Sequence, residues 1–572
     1  MKNINSWQDI EWDVLEDQIF HLQLRIFKAA ENRELSKVHK LQAGLISSHF
    51  AKYFSIRKVM FDNTCKKIPG IENLIILSPV ERFTLSNYLL IYGTNSITQK
   101  SYRIYPDGKR RVLNLSTVEE RAKQMLVYLA LCPQWEAQFK LSNYGLRPGR
   151  SFRDALEVIF LEVSKKPKWT LKTNISEYLQ QINHSYLIER CGTFPEMQKQ
   201  IEVWLKLGIL NTKKSISQSL NVSQRGVLLA LLLNIALHDL DNNIIMYTKT
   251  LINHRQSNLR SLIYVRYDSN FIIMYNGDNI LKNLEIITKQ SFKSMGLESY
   301  PIKARIIQSQ RQIGKPILEF TFLGFDIIQK LRRTHQSTSF QKKRLKQDCS
   351  ISIHPSKVEV QRHKLKIREI IQKYRGTNQK KLIQHLNPLI QKWTLAKKTQ
   401  TTNKIFQNLD QYLFIHLWKW ARKRHSKMSK FKLRNKYWYK IKTKTWVFGI
   451  KLSINILFEL QSHSKTPSQR YIKIRSKTSP FDGNLIYWKE RIYKYTSIPS
   501  TKAQLIKKQK GRCLNCGRFF RSGDIIGSES ITPNTLERRK NFRNKVQIIH
   551  NYCHLKKTKI KMLETHRNVK LK

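Results

Sequence analysis

Four residues near the C-terminus impose the tightest geometric constraint on this chain of 572 residues. Cys513 and Cys516 are separated by two residues, and His550 and Cys553 repeat that spacing about 33 residues later. Two such pairs supply the four sulfur and nitrogen ligands that tetrahedral Zn²⁺ prefers. The pattern predicts a structural zinc site that closes residues 496–572 into a small domain. Unrelated buried thiols are the alternative.

Positive charge is distributed along the whole chain. The 104 Lys and Arg residues exceed the 40 Asp and Glu residues by enough to give a formal net charge of +64. Such a body repels itself unless a polyanion neutralises it, and nucleic acid does so through phosphate contacts and counterion release. The hydrophobic share of 41% suffices for packed cores. We therefore expect a folded nucleic-acid-binding protein, with a basic protein that has no specific partner as the alternative.

The periodicity of apolar residues indicates an α+β multidomain protein. The predicted segments are a helical domain at 1–75, mixed strands and helices at 76–330, a basic linker at 331–355, a helical domain at 356–465, a linker at 466–495, and the Cys/His domain at 496–572. Three amphipathic helices in the fourth segment predict a small bundle. Their apolar faces contain Ile367, Ile370, Ile371, Tyr374, Leu382, Leu386, Leu389, Ile390, Trp393, Phe406, Leu409, Leu413, Leu417 and Trp420.

Neither a membrane span nor a targeting segment is predicted. The most apolar run, Val227 to Leu237, has 11 residues and contains Asn234, whereas a spanning helix needs about 20. Residues Met1 to Trp12 include acids and lack an apolar stretch, so neither a secretory signal nor a transit peptide is expected. The abundance of Lys, Ile and Asn, which AT-rich codons specify, favours an organelle genome.

Several blocks resemble those of group II intron reverse transcriptase/maturases. Residues 142–151 (SNYGLRPGRS) resemble the family's "SYGFRPGRS" block, and residues 322–325 (FLGF) match its "FLGF" block. Trp7, Trp12 and residues 22–26 resemble the N-terminal domain of the plastid and cyanobacterial type. Residues 386–390 with Trp393, and 422–425, resemble the maturase-specific X, or thumb, domain. The resemblance implies an N-terminal reverse transcriptase domain, reverse-transcriptase-like fingers and palm, and a helical thumb, in that order.

The same resemblance places the polymerase carboxylates where this chain has none. The family's "ADI" and "YADD" aspartates align with Asn174 and with Ser269 and Asn270. Nucleotidyl transfer needs those carboxylates to hold two Mg²⁺ ions, and amide or hydroxyl groups bring no negative charge. Asp268 precedes Ser269 by one residue, and the alternation of a strand would point it to the opposite face. The resemblance therefore implies a palm without polymerase activity, with Mg²⁺ present only through the RNA partner.

The C-terminal segment resembles the HNH endonuclease domains of intron proteins, which have a ββα-metal fold. The resemblance is carried by residues 509–513 (QKGRC) and 553–558 (CHLKKT). The family's catalytic positions align with Glu529, Ser530 and Lys545, while His554 matches the histidine that helps to hold the catalytic ion. Serine cannot replace an imidazole as general base near neutral pH. The resemblance implies a zinc-stapled fold with its nuclease disabled and DNA as a possible second ligand.

Basic residues in three places are the predicted RNA contacts. They are Arg57 and Lys58 in the N-terminal domain, Arg147 and Arg150 in the RPGR block, and Arg422, Lys423, Arg424 and His425 in the X domain. Solvated, interchangeable charges are the alternative for each of them.

These features favour a maturase that binds its host group II intron RNA and stabilises the fold in which the intron splices. Plastid localisation is expected, with the mitochondrion as the alternative. Two other functions stay open: an active reverse transcriptase and HNH homing endonuclease that supports intron mobility, and a general organellar RNA chaperone. No pattern in the sequence predicts an oligomeric state or a membrane partner.

Overall fold

The computed structural model describes about three quarters of the chain. The described residues are 6–62, 77–91, 98–104, 110–163, 168–175, 178–209, 227–250, 262–275, 278–297, 305–307, 318–331, 349–399, 401–440, 446–453, 456–466, 471–475, 478–495, 500–521, 524, 526–531 and 545–554. They fall into two compact units. Unit 1 comprises Met1–Ile159, Trp169–Ile306 and Lys473–Lys572, and unit 2 comprises Phe160–Lys168 and Ile307–Ile472.

The N-terminal part of unit 1 is helical, as predicted. Its helices are α1 (Trp12–Glu31), α2 (Leu35–Ser47), α3 (His49–Arg57), which continues into a short π-helix (Lys58–Asp62), and α4 (Pro79–Tyr88). The spacing of Leu15 and Ile19, both buried, gives α1 an apolar face. The predicted end of this domain at residue 75 lies outside the described residues.

The remainder of unit 1 combines helices with two hairpins and a four-stranded sheet. Its elements are β1 (Thr98–Ile104), β2 (Arg110–Ser116), α5 (Val118–Gln138), α6 (Phe152–Val163, which continues into unit 2), β3 (Trp169–Asn174), a 3₁₀ turn (Leu179–Gln181), α7 (His184–Cys191), α8 (Pro195–Lys206), α9 (Val227–Ala236), α10 (His238–Thr250), β4 (Ile263–Tyr267), β5 (Asn270–Tyr275), α11 (Asp278–Ser294), β6 (Arg305–Ile307), α16 (Leu485–Tyr495), α17 (Ser500–Lys508), β13 (Ile526–Ile531) and β14 (Lys545–His550). The four-stranded sheet has the order β4-β5-β3-β6.

Helix α5 is the centre of the unit 1 core. It packs against α1, α2, α3 and α9, and most of its apolar side chains are buried. Hydrogen bonds link several buried polar side chains in this core: Gln42 donates to the Gln134 side chain at 2.7 Å and accepts from Thr193 at 2.9 Å. The N-terminal helices and the mixed part of the unit thus share one core.

Unit 2 contains the predicted helical bundle together with two small sheets. Its elements are β7 (Leu318–Phe322), β8 (Phe325–Leu331), β9 (Cys349–Pro355), α12 (Lys357–Lys373), α13 (Gln379–Lys397), α14 (Asn403–Arg424), α15 (Lys430–Tyr437), β10 (Trp438–Lys440), β11 (Trp446–Ser453) and β12 (Ile456–Glu459). The apolar faces of α12, α13 and α14 meet in one core that includes Ile367, Leu386 and Leu417. The three-helix prediction is confirmed, whereas the sheet β10-β11-β12 was not expected from the helical pattern.

Both predicted linkers contain regular structure. The last residues of the 331–355 segment form β9, which pairs along its whole length with β8; residues 332–348 lie outside the described residues. The 466–495 segment contains α16, whose Arg491 binds the buried Asp154 carboxylate at 2.6 Å. These parts of the linker prediction are wrong, because basic or proline-containing stretches still pair and pack where a neighbouring strand or a buried acid is available.

Candidate nucleic-acid interface and metal centre

The three residues that the family resemblance aligns with polymerase carboxylates come together at one end of the four-stranded sheet. Asn174 ends β3 and is paired in register with Asn270, the first residue of β5. The backbone N–H of Ile175 donates to the Ser269 carbonyl at 3.1 Å. Asn174 is exposed and Ser269 is buried. The palm-like hairpin is therefore built, and it brings an amide, a hydroxyl and a second amide to this end.

Asp268 lies in the turn of this hairpin and not on a strand. Tyr267 and Asn270 are the last paired residues of β4 and β5, and Asp268 has a left-handed backbone with φ of 57°, a conformation that Asp tolerates better than most residues. The prediction that Asp268 faces away rested on strand alternation. That premise is wrong, because alternation does not extend into a turn.

The block that resembles "SYGFRPGRS" passes directly behind the hairpin. The Tyr144 N–H donates to the Arg266 carbonyl at 2.8 Å, and the Arg266 N–H donates to the Ser142 carbonyl at 2.9 Å. A Cβ atom at Gly145 would lie 1.9 Å from the backbone nitrogen of Asp268. Only glycine allows this approach, so the block fixes the position of the turn.

A buried ion pair joins the hairpin to helix α10. The Arg266 guanidinium donates to both carboxylate oxygens of Asp241, at 2.8 and 2.7 Å, and both side chains are fully buried. Arg266 also donates to the side-chain oxygen of Asn234 at 2.9 Å. The side-chain nitrogen of Asn234 donates in turn to the Gly145 carbonyl at 2.8 Å. Sequence reasoning missed this network, because nothing in the local pattern pairs Arg266 with a residue 25 positions away.

Two of the predicted RNA contacts are interior residues. Arg147 forms a bidentate ion pair with Glu136, with hydrogen bonds of 2.8 and 2.9 Å, and the Arg147 side chain is 2% exposed. The Arg57 guanidinium is paired with Glu16 and lies over the rings of Trp12 and Tyr552. A side chain sealed in this way cannot reach a phosphate, so these two predictions are wrong. Each arginine neutralises a buried carboxylate instead.

The remaining predicted contacts are more accessible. Lys58 and Arg150 are half-buried, and Arg422 and Lys423 are exposed at the C-terminal end of α14. Arg424 is exposed as well, but its guanidinium donates to the Thr377 carbonyl and lies 5.3 Å from the Trp420 ring centre. Cations at a helix C-terminus are also favoured by the helix dipole. Of this cluster, Arg422 and Lys423 have the greatest freedom to reach an anion.

The four predicted metal ligands lie in one cluster. The ligand atoms of Cys513, Cys516, His550 and Cys553 are all within 4.8 Å of one another, and Cys516 Sγ is 3.3 Å from His550 Nδ1. The hydrogen bonds from the Cys516 and Cys553 thiols lower the pKa of Cys513, which favours the thiolate that binds a metal. Three sulfurs and one imidazole at this spacing can hold a metal ion, and the donor set is one that Zn²⁺ takes in structural sites.

Asp524 orients the histidine of this cluster. Its carboxylate lies 3.4 Å from His550 Nε2, the ring nitrogen that faces away from the sulfurs. Metal-binding histidines commonly donate their second N–H to a carboxylate, which fixes the ring and makes it a stronger ligand. Sequence reasoning missed Asp524, although an acid between the two ligand pairs was a signal that could have been used.

The segment around the cluster forms a hairpin followed by a helical turn. Strands β13 and β14 are antiparallel with Glu529 opposite Gln547, and Gln547 donates to the Glu529 carboxylate at 2.7 Å. His554, in that helical turn, lies close to Gly527 of β13: its Cβ atom would be 3.8 Å from a Cβ atom placed on the glycine. The Gln509 side-chain nitrogen donates to the Ile548 carbonyl at 2.7 Å, and its side-chain oxygen accepts from the Ile548 N–H at 2.8 Å. The side chains of Ser530 and Lys545 lie outside the described part of the structure.

The Cys/His segment packs on the N-terminal helices of unit 1. Arg518 and Arg521 bind the two carboxylate oxygens of Asp17 at 2.8 and 2.5 Å. The Tyr552 ring stacks on His550 with centres 5.0 Å apart, and the Arg57 guanidinium lies 5.0 Å from the centre of the Tyr552 ring. The metal cluster is therefore connected to α1 and α3 through side chains.

One helical stretch, Leu228–Thr250, is long and apolar enough to cross a membrane by length and composition. Of its most apolar window, 72% is buried inside the protein. Its Asp241 carboxylate is the one that binds Arg266. The stretch packs as a core element of unit 1.

The fold and the sites together define a basic protein with a reverse-transcriptase-like body, a helical bundle and a Cys/His centre. Three sequence families match it in order: the N-terminal domain of reverse transcriptase at residues 7–89, reverse transcriptase (RNA-dependent DNA polymerase) at 99–327, and the group II intron maturase-specific domain at 360–438. The chain belongs to the group II intron reverse transcriptase/maturase family.

Curated relatives agree with this assignment. Maturase-like protein 1 of Euglena longa is 28% identical over 194 residues, covering 33% of this chain and 42% of the relative. Maturase-like protein 1 of Euglena gracilis is 26% identical over 246 residues, covering 42% and 53%. Protein YkfC of Escherichia coli K12 is 23% identical over 254 residues, covering 40% and 65%. The chain thus spans about half the length of the Euglena relatives.

Proposed function

We propose that this protein is a maturase that binds its host group II intron RNA and promotes splicing without synthesising DNA. The observation that carries the proposal is the meeting of Asn174, Ser269 and Asn270 at the end of the sheet. Uncharged oxygens do not offset the cost of dehydrating Mg²⁺ as carboxylates do. The hairpin is nevertheless held by the buried Arg266–Asp241 ion pair and by backbone hydrogen bonds to Ser142 and Tyr144, which fits a body kept for binding.

In this role the protein supplies charge and shape, and the RNA supplies the chemistry. The excess of Lys and Arg neutralises phosphates that repel one another in the compact intron. A rigid surface then favours the folded RNA over its extended alternatives, because it binds the folded form more tightly. Arg422 and Lys423 are the proposed RNA contacts in the maturase-specific domain. Lys58 and Arg150 are also proposed as RNA contacts, although their side chains are less exposed.

The C-terminal segment is proposed to be an HNH-like domain stapled by zinc. Cys513, Cys516, His550 and Cys553 would hold the ion, whose chemical contribution there is structural. Glu529 is engaged by Gln547, and serine stands at the position of the general base, so no nuclease activity is proposed. DNA remains a candidate second ligand of this domain. We further propose that the protein acts in an organelle, with the plastid first.

The test is a pair of assays on the purified full-length chain. Host intron RNA should splice faster with the protein than without it at moderate Mg²⁺, and a primed RNA template with deoxynucleotides should give no extension above a buffer control. Primer extension at the level of an active group II enzyme would favour the mobility enzyme. Equal stimulation of unrelated structured RNAs would favour a general chaperone. Either result would overturn the proposal.

A further inference from the structure

Unit 2 carries exposed aromatic rings within and just after the segment that matches the maturase-specific domain. Phe414, Phe431 and Trp446 are 49%, 64% and 41% exposed, respectively, although large apolar side chains are usually buried. They belong to α14, α15 and β11, so their exposure is not the property of one frayed element. Clustered exposed apolar groups commonly mark an interaction site.

The rings form ordered contacts. Phe414 stacks on Trp418 with centres 6.0 Å apart and planes 26° apart, and the buried Trp438 supports both of them at 5.7 and 5.4 Å. Trp438 pairs with Phe448 in the sheet, and Trp446 lies two residues before Phe448 on the same face. We call Phe414, Trp418, Phe431, Arg434 and Trp446 the aromatic face.

Arg434 lies among the rings of this face. Its guanidinium is 4.3 Å from the Trp446 ring centre and 5.1 Å from that of Phe431. Its Nε atom is buried and makes no hydrogen bond with the described residues. Stacking of this kind holds a cation at an aromatic surface, in a position that suits a planar, anionic ligand.

The charge around the aromatic face is of one sign. Between Gln411 and Phe458 the sequence contains thirteen Lys and Arg residues and no Asp or Glu. Lys419, Lys430 and Lys432 are exposed and directly adjoin Trp418 and Phe431 in the sequence. A protein partner with an ordinary mixed surface would leave most of these charges unpaired. A partner that carries both flat apolar groups and dense negative charge complements the rings and the lysines together.

We infer that the aromatic face binds unpaired nucleotides of RNA by base stacking, with the surrounding lysines on the phosphates. Duplex RNA hides its bases, so it offers phosphates to the lysines but nothing to the rings; loops, bulges and single strands offer both. The inference rests on the proposed function and deepens it, because it states which part of a structured RNA this surface contacts. The unpaired strand is the occupant, and an anionic membrane surface is the competing outcome.

The experiment uses the full-length chain with two probes: a labelled oligouridylate of about 12 nucleotides and a blunt RNA duplex with the same number of phosphates. Phe414→Ala/Trp446→Ala should weaken oligouridylate binding by about 5- to 100-fold, the range expected when base–aromatic stacking is removed. Duplex binding should stay within about twofold. Tyr88→Ala, which removes an aromatic ring 73% exposed in unit 1, is the matched control and should change neither.

Further measurements keep the inference testable if the double variant is unstable. Trp446→Phe retains a ring and should bind oligouridylate within about threefold of the wild type. Photocrosslinking of a 4-thiouridine oligomer to the unaltered protein should label peptides that contain Phe414 or Trp446. Equal binding of oligouridylate by the folded double variant, or crosslinks only elsewhere, would overturn the inference.

Vesicles containing phosphatidylserine decide between RNA and membrane. Loss of vesicle binding in the double variant with unchanged RNA binding would assign the face to a membrane and also overturn the inference. These outcomes are distinguishable from failure of the proposed function. If the wild type neither binds the host intron nor promotes splicing, the proposed function fails whatever the double variant does.

Discussion

At the scale of single residues, two buried arginine–carboxylate pairs hold the palm-like part of unit 1 together. Arg147 with Glu136 and Arg266 with Asp241 are each joined by two hydrogen bonds and shielded from water. A buried pair adds little net stability over apolar residues of similar size. Removal of one partner is costly, however, because an uncompensated charge stays inside.

Arg147→Ala should therefore act on folding and not on RNA contact. We expect the free energy of unfolding of unit 1 to fall by about 3–5 kcal/mol, the usual cost of breaking a buried pair. Chemical denaturation followed by tryptophan fluorescence measures it. The control is Arg422→Ala, an exposed site where we expect a change within about 0.5 kcal/mol. A stable Arg147→Ala protein with weakened RNA binding would restore the original surface prediction.

A buried histidine makes the stability of unit 2 depend on pH. The His363 ring stacks on Trp393 with centres 4.3 Å apart, and its Nε2 atom is 3.0 Å from Nε2 of His463, which is itself bound to Asp410 at 2.7 Å. Burial, together with the neighbouring His463 and Lys366, lowers the pKa of His363 from 6.5 to about 3. The folded state thus excludes a proton that the unfolded chain accepts below pH 6.5.

Unit 2 should lose stability as the pH falls from 6.5 toward 3, and this contribution should be constant above 6.5. The slope for one proton is at most about 1.4 kcal/mol per pH unit. His363→Phe keeps a ring on Trp393 and cannot be protonated, so its unfolding free energy should vary less over that window. Denaturant titrations at several pH values measure the difference. Parallel pH profiles for the two proteins would contradict the assignment.

At the scale of elements, the Cys/His cluster proposed to hold a metal ion and the N-terminal helices form one structural assembly. Arg518 and Arg521 reach Asp17 on α1, and Tyr552 connects His550 to Arg57 at the end of α3. The sequence places these elements at opposite ends of the chain. Structural metal binding contributes directly to folding, so loss of the ion should destabilise α1 as well.

Cys513→Ser should release the bound metal and increase hydrogen exchange in α1 (Trp12–Glu31), because α1 loses its ion-pair partners when the segment unfolds. The α12–α14 bundle of unit 2 should keep its exchange pattern. Elemental analysis and hydrogen-exchange mass spectrometry measure the two effects. Leu514→Ser, a change at an exposed site between the two cysteines, is the control. Unchanged α1 exchange in a metal-free protein would show that the centre acts only locally.

How far the elements follow from the sequence depends on the range of the interactions. The α12–α14 faces and the Cys/His cluster were predictable, because helical periodicity and ligand spacing are local patterns. The interior positions of Arg57 and Arg147 were not predictable. An arginine has the same local sequence pattern whether it pairs with a carboxylate inside the protein or is exposed to solvent. The strand β9 was hidden by the charge of the segment that precedes it.

At the scale of the whole molecule, the net charge of +64 sets how binding should depend on salt. Each neutralised phosphate contributes a slope of about −0.9 for duplex and about −0.7 for single strands in a plot of log affinity against log salt. Unrelated RNA shares this term. Discrimination in favour of the host intron should consequently change little between low and moderate salt.

Arg422→Glu/Lys423→Glu tests whether part of that charge acts at a defined place. These side chains are exposed, and neither belongs to the unit 2 core, so the melting transition should stay within a few degrees. Affinity for the host intron should fall about tenfold or more, with a shallower salt slope. The control is Lys206→Glu, a charge reversal on α8. Equal losses in both proteins would mean that only total charge matters.

The central claim is that the chain retains the body of a reverse transcriptase for RNA binding after losing its chemistry. The most direct measurement is a single reaction containing host intron RNA, an annealed primer, deoxynucleotides and the full-length protein, with spliced RNA and cDNA quantified together. We expect protein-dependent spliced product, and cDNA no higher than in a reaction without protein. Sustained cDNA synthesis, or splicing at the rate of the RNA alone, would contradict the account.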